Sequence, residues 1–229
     1  MKTSKLRKAL TCFLVFAMLL TMAPAAFAVQ AEETAEPANL SQGYSENPDE
    51  YEIYPVPHSV SYTGGQFTPT DTVTVVAGSG VDEYTVDFVE EILTRFGRKT
   101  VVASAPGGGT NIVLEIDPGM SVAGKYDPYT LTAQDGTITI TGPDTDCVYY
   151  GVATLQMMFT SFAGRYLLNV SIADYSDVMF RGFIEGFYGG FTYDGRESQM
   201  RSIRDVKGNI YVFASKTDYY HAEGWSELY

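Results

Sequence analysis

The stretch RGFIEGFYGG, from Arg181 to Gly190, sets Glu185 in an apolar run that ends in glycines. Residues 178–187 predict a buried strand, residues 194–206 a helix, and residues 210–215 a second apolar strand. Strands that are apolar throughout are typical of a parallel sheet covered on both faces. This strand–helix–strand order predicts a right-handed parallel sheet, either open or closed into a barrel.

Both predicted strands end in polar and aromatic residues, EGFYG (Glu185–Gly189) and SKTDYYH (Ser215–His221). Ligands of parallel α/β sheets bind beyond the carboxyl ends of the strands. Glycines let a ligand approach the backbone, and aromatic rings offer flat apolar faces, a combination that suits a sugar. The alternatives are a plain turn for the glycines and a solvated loop for Lys216–Asp218.

Residues 51–176 predict a separate α+β domain. Two apolar stripes at helical spacing end near Gly97 and Gly164, and Asp135-Gly136 is a hairpin turn between residues 129–133 and 137–141. Further strands are expected at residues 73–76, 99–104 and 112–116. Two helices against one mixed sheet form an α+β sandwich, hereafter the sandwich domain.

Nothing within the sandwich domain predicts a site. Neighbours on a helix point apart, so Glu90 and Glu91 are not a carboxylate pair, and Glu91 is interpreted as the partner of Arg95 on a solvated face. Cys147 and Met157–Met158 are interpreted as core residues rather than redox or metal groups.

The amino-terminal residues 1–28 predict a cleaved signal peptide, and hence a secreted protein. A basic segment precedes an apolar run, and Ala26-Phe27-Ala28 matches a cleavage site. A membrane-spanning helix is the alternative, but the run is shorter than the ~20 residues required and ends at Pro24. Residues 29–50 are acidic and poor in large apolar side chains, which predicts a linker.

Composition argues against several classes of partner. Removal of residues 1–28 leaves 11 basic against 28 acidic residues, a balance that repels nucleic acid and anionic lipid. His58 and His221, the two histidines, are far apart in sequence and have no neighbouring cysteine, so a metal site is not expected. No cofactor is indicated.

The motif RGFIEGFYG (Arg181–Gly189) resembles the RG-x-x-EGFYG signature of glycoside hydrolase family 84, the β-N-acetylglucosaminidases that include O-GlcNAcases and clostridial enzymes labelled hyaluronidases. Residues 209–221 are similar to that family's N-x-Y-x-Y-A-P-K-D-D-x-Y-H stretch. The sandwich domain resembles the amino-terminal domain shared with family 20 hexosaminidases. The resemblance implies an α+β domain followed, at residues 177–229, by the first βα units of an incomplete (β/α)8 barrel.

The resemblance also implies roles for individual residues. Gly186 would contact the sugar through its backbone, Tyr188 would shape the pocket, and Lys216 would hydrogen-bond the sugar hydroxyls. Asp218 matches the second Asp of the K-D-D motif, and Glu185 is assigned structural support. The sequence departs from the family pattern at Ser215, Thr217 and Gly190-Phe191. These departures affect what the resemblance implies about the pocket rim and the aglycone preference, more than about the sugar itself.

The implied substrates are glycans or glycoproteins that contain N-acetylglucosamine, hydrolysed with the substrate's own acetamide as nucleophile. Family members use two adjacent aspartates for this reaction, and these 229 residues contain no Asp-Asp pair. A complete barrel takes ~250 residues, so the chain is expected to be an inactive amino-terminal fragment with the pair downstream of Tyr229. A non-catalytic carbohydrate- or protein-binding module, or an enzyme for a different amino sugar, are the alternatives.

Overall fold

The computed structural model describes residues 44–185 and 192–212, and the fold is given for these residues. The sandwich domain contains one seven-stranded mixed sheet in the order β1-β7-β5-β6-β4-β2-β3. Its strands are β1 (Ser59–Phe67), β2 (Thr72–Ala77), β3 (Lys99–Ala103), β4 (Thr110–Ile116), β5 (Tyr126–Gln134), β6 (Thr137–Gly142) and β7 (Leu167–Ser176). Strands β3, β2, β4 and β6 pair in parallel, and the pairs β6–β5, β5–β7 and β7–β1 are antiparallel.

Two helices, α1 (Glu83–Arg95) and α2 (Thr145–Ser161), pack on this sheet and on each other. Each begins at an aspartate whose side chain accepts a backbone N–H: Asp82 from Thr85 at 2.9 Å, and Asp144 from Cys147 at 2.9 Å. Fully buried side chains such as Ile92, Leu155 and Phe159 fill the space between the layers. The predicted mixed sheet with two helices is therefore confirmed.

The predicted hairpin is present between β5 and β6. Asp135 and Gly136 have φ values of 47° and 91°, the left-handed conformation that a two-residue turn of this kind requires. Cys147 is buried, and burial raises the pKa of its thiol, which agrees with a core role. Strands β1 and β7, by contrast, were not predicted.

After the sandwich domain the chain forms β8 (Gly182–Ile184), α3 (Tyr193–Asp205) and β9 (Ile210–Val212), together called the βα unit. The predicted order of strand, helix and strand is present, and β8 pairs with β9 in parallel. The expected burial on both faces is not found, because Phe180 is 70% exposed and Ile184 is 60% exposed. Among the described helices, α3 contacts the strand pair through β9.

Residues 44–50, the described end of the predicted linker, contact the sandwich domain. The backbone N–H groups of Tyr44 and Ser45 both donate to the carbonyl oxygen of Ser161 at the end of α2, at 3.1 and 3.0 Å. None of the helices within residues 44–185 and 192–212 is long and apolar enough to cross a membrane.

Candidate functional site

The four residues predicted to bind sugar, Gly186, Tyr188, Lys216 and Asp218, lie outside the described residues. The structure does describe the strands that precede them. In the register of the pair, Gly182 lies beside Ile210 and Ile184 beside Val212. Because the strands are parallel, their carboxyl ends lie next to each other at one end of the βα unit.

Glu185 is the last described residue of this end, and it is 1% exposed. Its carboxylate accepts two hydrogen bonds from Arg196, from Nε to Oε1 at 2.6 Å and from Nη2 to Oε2 at 3.3 Å. Arg196 lies in the first turn of α3, which begins after the N-cap residue Thr192. This two-point contact ties the end of β8 to the start of α3.

Tyr211 of β9 completes the cluster around Glu185. Its hydroxyl donates to Glu185 Oε1 and lies 3.0 Å from Oε1 of Gln199 on α3. Burial and the hydrogen bond to Glu185 raise the pKa of Tyr211 to about 12, so the phenol remains a donor at neutral pH. Glu185 thus joins β8, β9 and α3 with its carboxylate, which agrees with the structural role predicted for it.

A second polar region, a cavity of about 230 Å³, lies at the opposite end of the βα unit. Its walls include Arg181, which immediately precedes β8, and Lys207, which precedes β9, together with His58, Asp127 and Asp174 of the sandwich domain. Since ligands of parallel sheets bind at carboxyl ends, this cavity is not where the predicted sugar pocket would lie.

The centre of this region is Asp174 in β7, which is 7% exposed. Its Oδ1 accepts from the backbone N–H of His58 at 3.2 Å and lies 2.9 Å from the Nδ1 atom of that ring. Its Oδ2 accepts from Tyr129 and from Lys207, both at 2.9 Å. We call these four residues the Asp174 cluster. Both carboxylate oxygens are engaged, which compensates the loss of hydration.

The pKa of Asp174 reflects this environment. Burial acts to raise it, but the Lys207 ammonium and the hydrogen bonds from His58, Lys207 and Tyr129 outweigh burial, so the pKa lies below its ordinary value. A lowered pKa means that the folded state favours the ionised carboxylate. Asp174 therefore contributes stability above its unfolded pKa of about 3.9, and this contribution is lost as the pH falls through the lower folded value.

This linkage predicts that Asp174→Asn destabilises the folded chain less in acid than near pH 5. We expect the difference in unfolding free energy between the unsubstituted chain and the variant to shrink, from its value near pH 5, as the pH falls below about 4. Thermal unfolding across this range, followed by circular dichroism, measures the difference. Asp71→Asn, at a fully exposed side chain, is the control and should show little narrowing. A deficit for Asp174→Asn that stays constant down to about pH 2 would contradict the assignment.

Sequence reasoning missed the Asp174 cluster, although one signal was available. In LLNVSIADYS (Leu167–Ser176) the buried positions 170, 172 and 174 share one face, so an aspartate occupies a core position of a strand. A buried carboxylate requires a partner. The pattern could not show that the partner is Lys207, because that lysine lies on another element.

Two family models match consecutive parts of the chain. The model described as glycosyl hydrolase family 20, domain 2, matches residues 50–175, and the model described as beta-N-acetylglucosaminidase matches residues 181–229. The sandwich domain followed by the βα unit places the chain, by resemblance, among hexosaminidase-type glycoside hydrolases. The first match covers more than half of the chain, which therefore belongs to the family of glycosyl hydrolase family 20, domain 2.

Solved structures give the same class. CpGH84D is 31% identical with a TM-score of 0.68, and CpGH84B is 25% identical with a TM-score of 0.59; each match covers 77% of this chain and 32% of that chain. The chitobiase of Flavobacterium johnsoniae, FjGH20, is 19% identical with a TM-score of 0.57 over 72% of this chain and 27% of its own, a likeness in fold alone. The present chain thus spans about a third of the length of these proteins.

Proposed function

We propose that this chain is part of a secreted β-N-acetylglucosaminidase of glycoside hydrolase family 84, which removes terminal or O-linked N-acetylglucosamine from glycans or glycoproteins. The observation that carries the proposal is the parallel pairing of β8 with β9. It places Glu185, the first residue of EGFYG, beside Val212, the last described residue before SKTDYYH, with the Glu185 amide donating to the Val212 carbonyl oxygen at 3.0 Å. We therefore expect the two segments to serve one ligand site. The EGFYG motif and the 31% identity to CpGH84D support the family.

In this proposal the sugar is held by residues that follow the two strands. Gly186 contributes backbone contact and Tyr188 shapes the pocket, while Lys216 and Asp218 bind the sugar from the β9 side. Glu185 holds the strand ends and takes no part in bond breaking. The reaction proceeds with retention, through attack of the substrate's acetamide oxygen on the anomeric carbon. The adjacent aspartates that it requires would come from sequence beyond Tyr229.

The role of Lys216 leads to a kinetic prediction. In the natural protein extended beyond Tyr229, Lys216→Ala should raise KM for an aryl N-acetylglucosaminide by about tenfold, the loss expected when a charged hydrogen-bond donor to the substrate is removed. The melting temperature should change little, because the lysine serves the ligand and not the fold. Lys99→Ala, at an exposed lysine of β3, is the control and should leave KM unchanged. An unaltered KM for Lys216→Ala would contradict the assignment.

A second candidate is a secreted module that binds carbohydrate or protein without catalysis. Calorimetry of the 229-residue chain with N-acetylglucosamine separates the two, since a stand-alone sugar-binding module retains affinity at this length. No binding, together with hydrolysis by the extended protein, would support the enzyme. The extended protein's rates of hydrolysis of an aryl N-acetylglucosaminide and an aryl N-acetylgalactosaminide should then be compared. Faster hydrolysis of the second would indicate an enzyme for a different amino sugar, which the departures at Ser215 and Thr217 permit.

Secretion is tested separately from catalysis. If residues 1–28 are a cleaved signal peptide, protein recovered from the medium of an expressing bacterium should begin at Val29. Recovery of the intact amino terminus in the cell fraction would contradict the assignment.

A further inference from the structure

The charges of the βα unit are complementary to those of the sandwich domain. Five basic residues lie between residues 181 and 212. Arg196 pairs with Glu185 inside the unit, and Arg201 and Arg204 pair there with Glu197 and Asp205, each at 2.9 Å. All but Arg196 also pair with acids of the sandwich domain. These pairs are Arg181–Asp127 at 2.8 Å, Arg201–Glu91 at 3.5 Å, Arg204–Glu91 at 2.8 Å and Lys207–Asp174 at 2.9 Å.

The Lys207–Asp174 pair is the buried one. Lys207 is 6% exposed, and its Nζ atom lies 5.6 Å from the centre of the Tyr129 ring, whose hydroxyl donates to the same carboxylate. Removing one partner of a buried pair costs far more than an exposed pair contributes, because the other charge is left in a poorly hydrated place. The turn between α3 and β9 is therefore attached to β7 by a buried ion pair. Without the other partner, either charge of this pair would be left uncompensated.

The Glu91–Arg204 pair joins α1 to α3. Arg204 donates from Nη1 to Glu91 Oε2 at 2.8 Å and from Nη2 to Oε1 at 3.1 Å, a two-point contact. The guanidinium also lies 4.1 Å from the centre of the Phe88 ring. The hydrogen bond from Arg204 is the largest influence on Glu91 and lowers its pKa. The predicted Glu91–Arg95 contact exists at 3.5 Å, but α3 also contacts this face of α1.

The described contacts between the unit and the sandwich domain are mainly contacts of charged side chains. Five large apolar side chains of the βα unit remain substantially exposed: Phe183, Ile184, Met200, Val206 and Val212. Two of the residues that pair with the sandwich domain, Arg181 and Lys207, precede the strands β8 and β9, whereas Glu185 lies at the carboxyl ends of these strands. The sandwich domain thus contacts the unit at the end remote from the predicted sugar pocket.

We propose that three acids of the sandwich domain, the buried Asp174 and the partly exposed Glu91 and Asp127, form a docking platform for the βα unit. It holds the amino-terminal ends of β8 and β9 through charge pairing and keeps α3 beside α1, so the unit is ordered by the sandwich domain. This inference does not depend on the proposed function, because it concerns the order of the βα unit whether or not the protein hydrolyses a sugar.

Hydrogen exchange of the full 229-residue chain, read peptide by peptide by mass spectrometry, tests the platform. Asp174→Asn should accelerate exchange of α3 and β9 amides on the order of a hundredfold, because it leaves the Lys207 ammonium buried without its counter-charge. Amides of β2 and β4, which lie away from the Asp174 cluster in the sheet, should change by less than about threefold, since their protection comes from the core of the sandwich domain. Adding Lys207→Met to Asp174→Asn should restore part of the protection.

A second pair of variants keeps the test decisive if Asp174→Asn disturbs the sandwich domain itself. Glu91→Gln should accelerate exchange in α3 by about three- to fivefold, whereas Glu90→Gln, one residue earlier on the same helix, should have no effect there. Equal exchange in these two variants would overturn the proposal. Unchanged exchange of α3 and β9 in Asp174→Asn, or acceleration that is equally large in β2 and β4, would overturn it as well.

Discussion

Arg196→Met is expected to destabilise the βα unit by about 3–5 kcal/mol, the usual cost of removing one partner from a buried ion pair. Glu185 is 1% exposed and receives two hydrogen bonds from this guanidinium. The variant takes away the positive charge that compensates the buried carboxylate, while methionine retains most of the apolar stem. Hydrogen exchange of the α3 amides should approach the unfolded rate, and the sandwich domain should keep its protection.

Arg201→Met provides the matched control for this variant. Arg201 is on the same helix, but its side chain is 52% exposed, and exposed pairs of this kind contribute about 0–1 kcal/mol. Adding Glu185→Gln to Arg196→Met should recover part of the lost protection, since the double variant no longer buries the charge. Equal exchange in Arg196→Met and Arg201→Met would show that the contacts of Glu185 with Arg196 and Tyr211 do not stabilise the carboxyl ends of β8 and β9.

Gly182→Ala is the second variant with a large expected effect. A Cβ atom at this position would overlap the carbonyl oxygen of Ile210 and its side chain, so the backbone of β8 or β9 has to move. Overpacking costs about 1–3 kcal/mol when side chains can adjust, and we expect a larger cost because the obstacle is backbone. In the proposed enzyme, the separated strands would move Gly186 and Lys216 apart and abolish hydrolysis.

The loss of pairing in Gly182→Ala can be measured directly. The Glu185 amide donates to the carbonyl oxygen of Val212 at 3.0 Å, and the Asn209 amide donates to that of Arg181 at 2.7 Å. Both amides should lose their protection against exchange. Gly108→Ala is the control, because a Cβ there meets nothing within 4 Å and the backbone is not left-handed. Retained protection of both amides would mean that β8 and β9 accommodate the methyl group.

Much of the sandwich domain could be predicted because its signals are local. Asp135-Gly136 specifies a tight turn from two residues, and the stripes on α1 and α2 repeat within a single helix. Strands β1 and β7 were not predicted from the sequence. β1 is an edge strand whose residues are mostly exposed, and β7 holds the buried Asn169 and Asp174 among its apolar residues. A polar residue in a core position weakens an apolar pattern unless its partner is known.

The sequence by itself determined the two helices and the hairpin of the sandwich domain, the strand–helix–strand order of the βα unit and the hexosaminidase resemblance, because these depend on neighbouring residues and on short motifs. Only the tertiary structure decided which charges meet. Lys207 and Asp174 are 33 positions apart, and Arg204 and Glu91 are 113 positions apart. Such pairs carry no sequence period, since their geometry is created when β7 and α1 bring their acidic side chains to the βα unit. The tertiary structure also decided that Ile184 is exposed, because burial depends on which elements cover a strand.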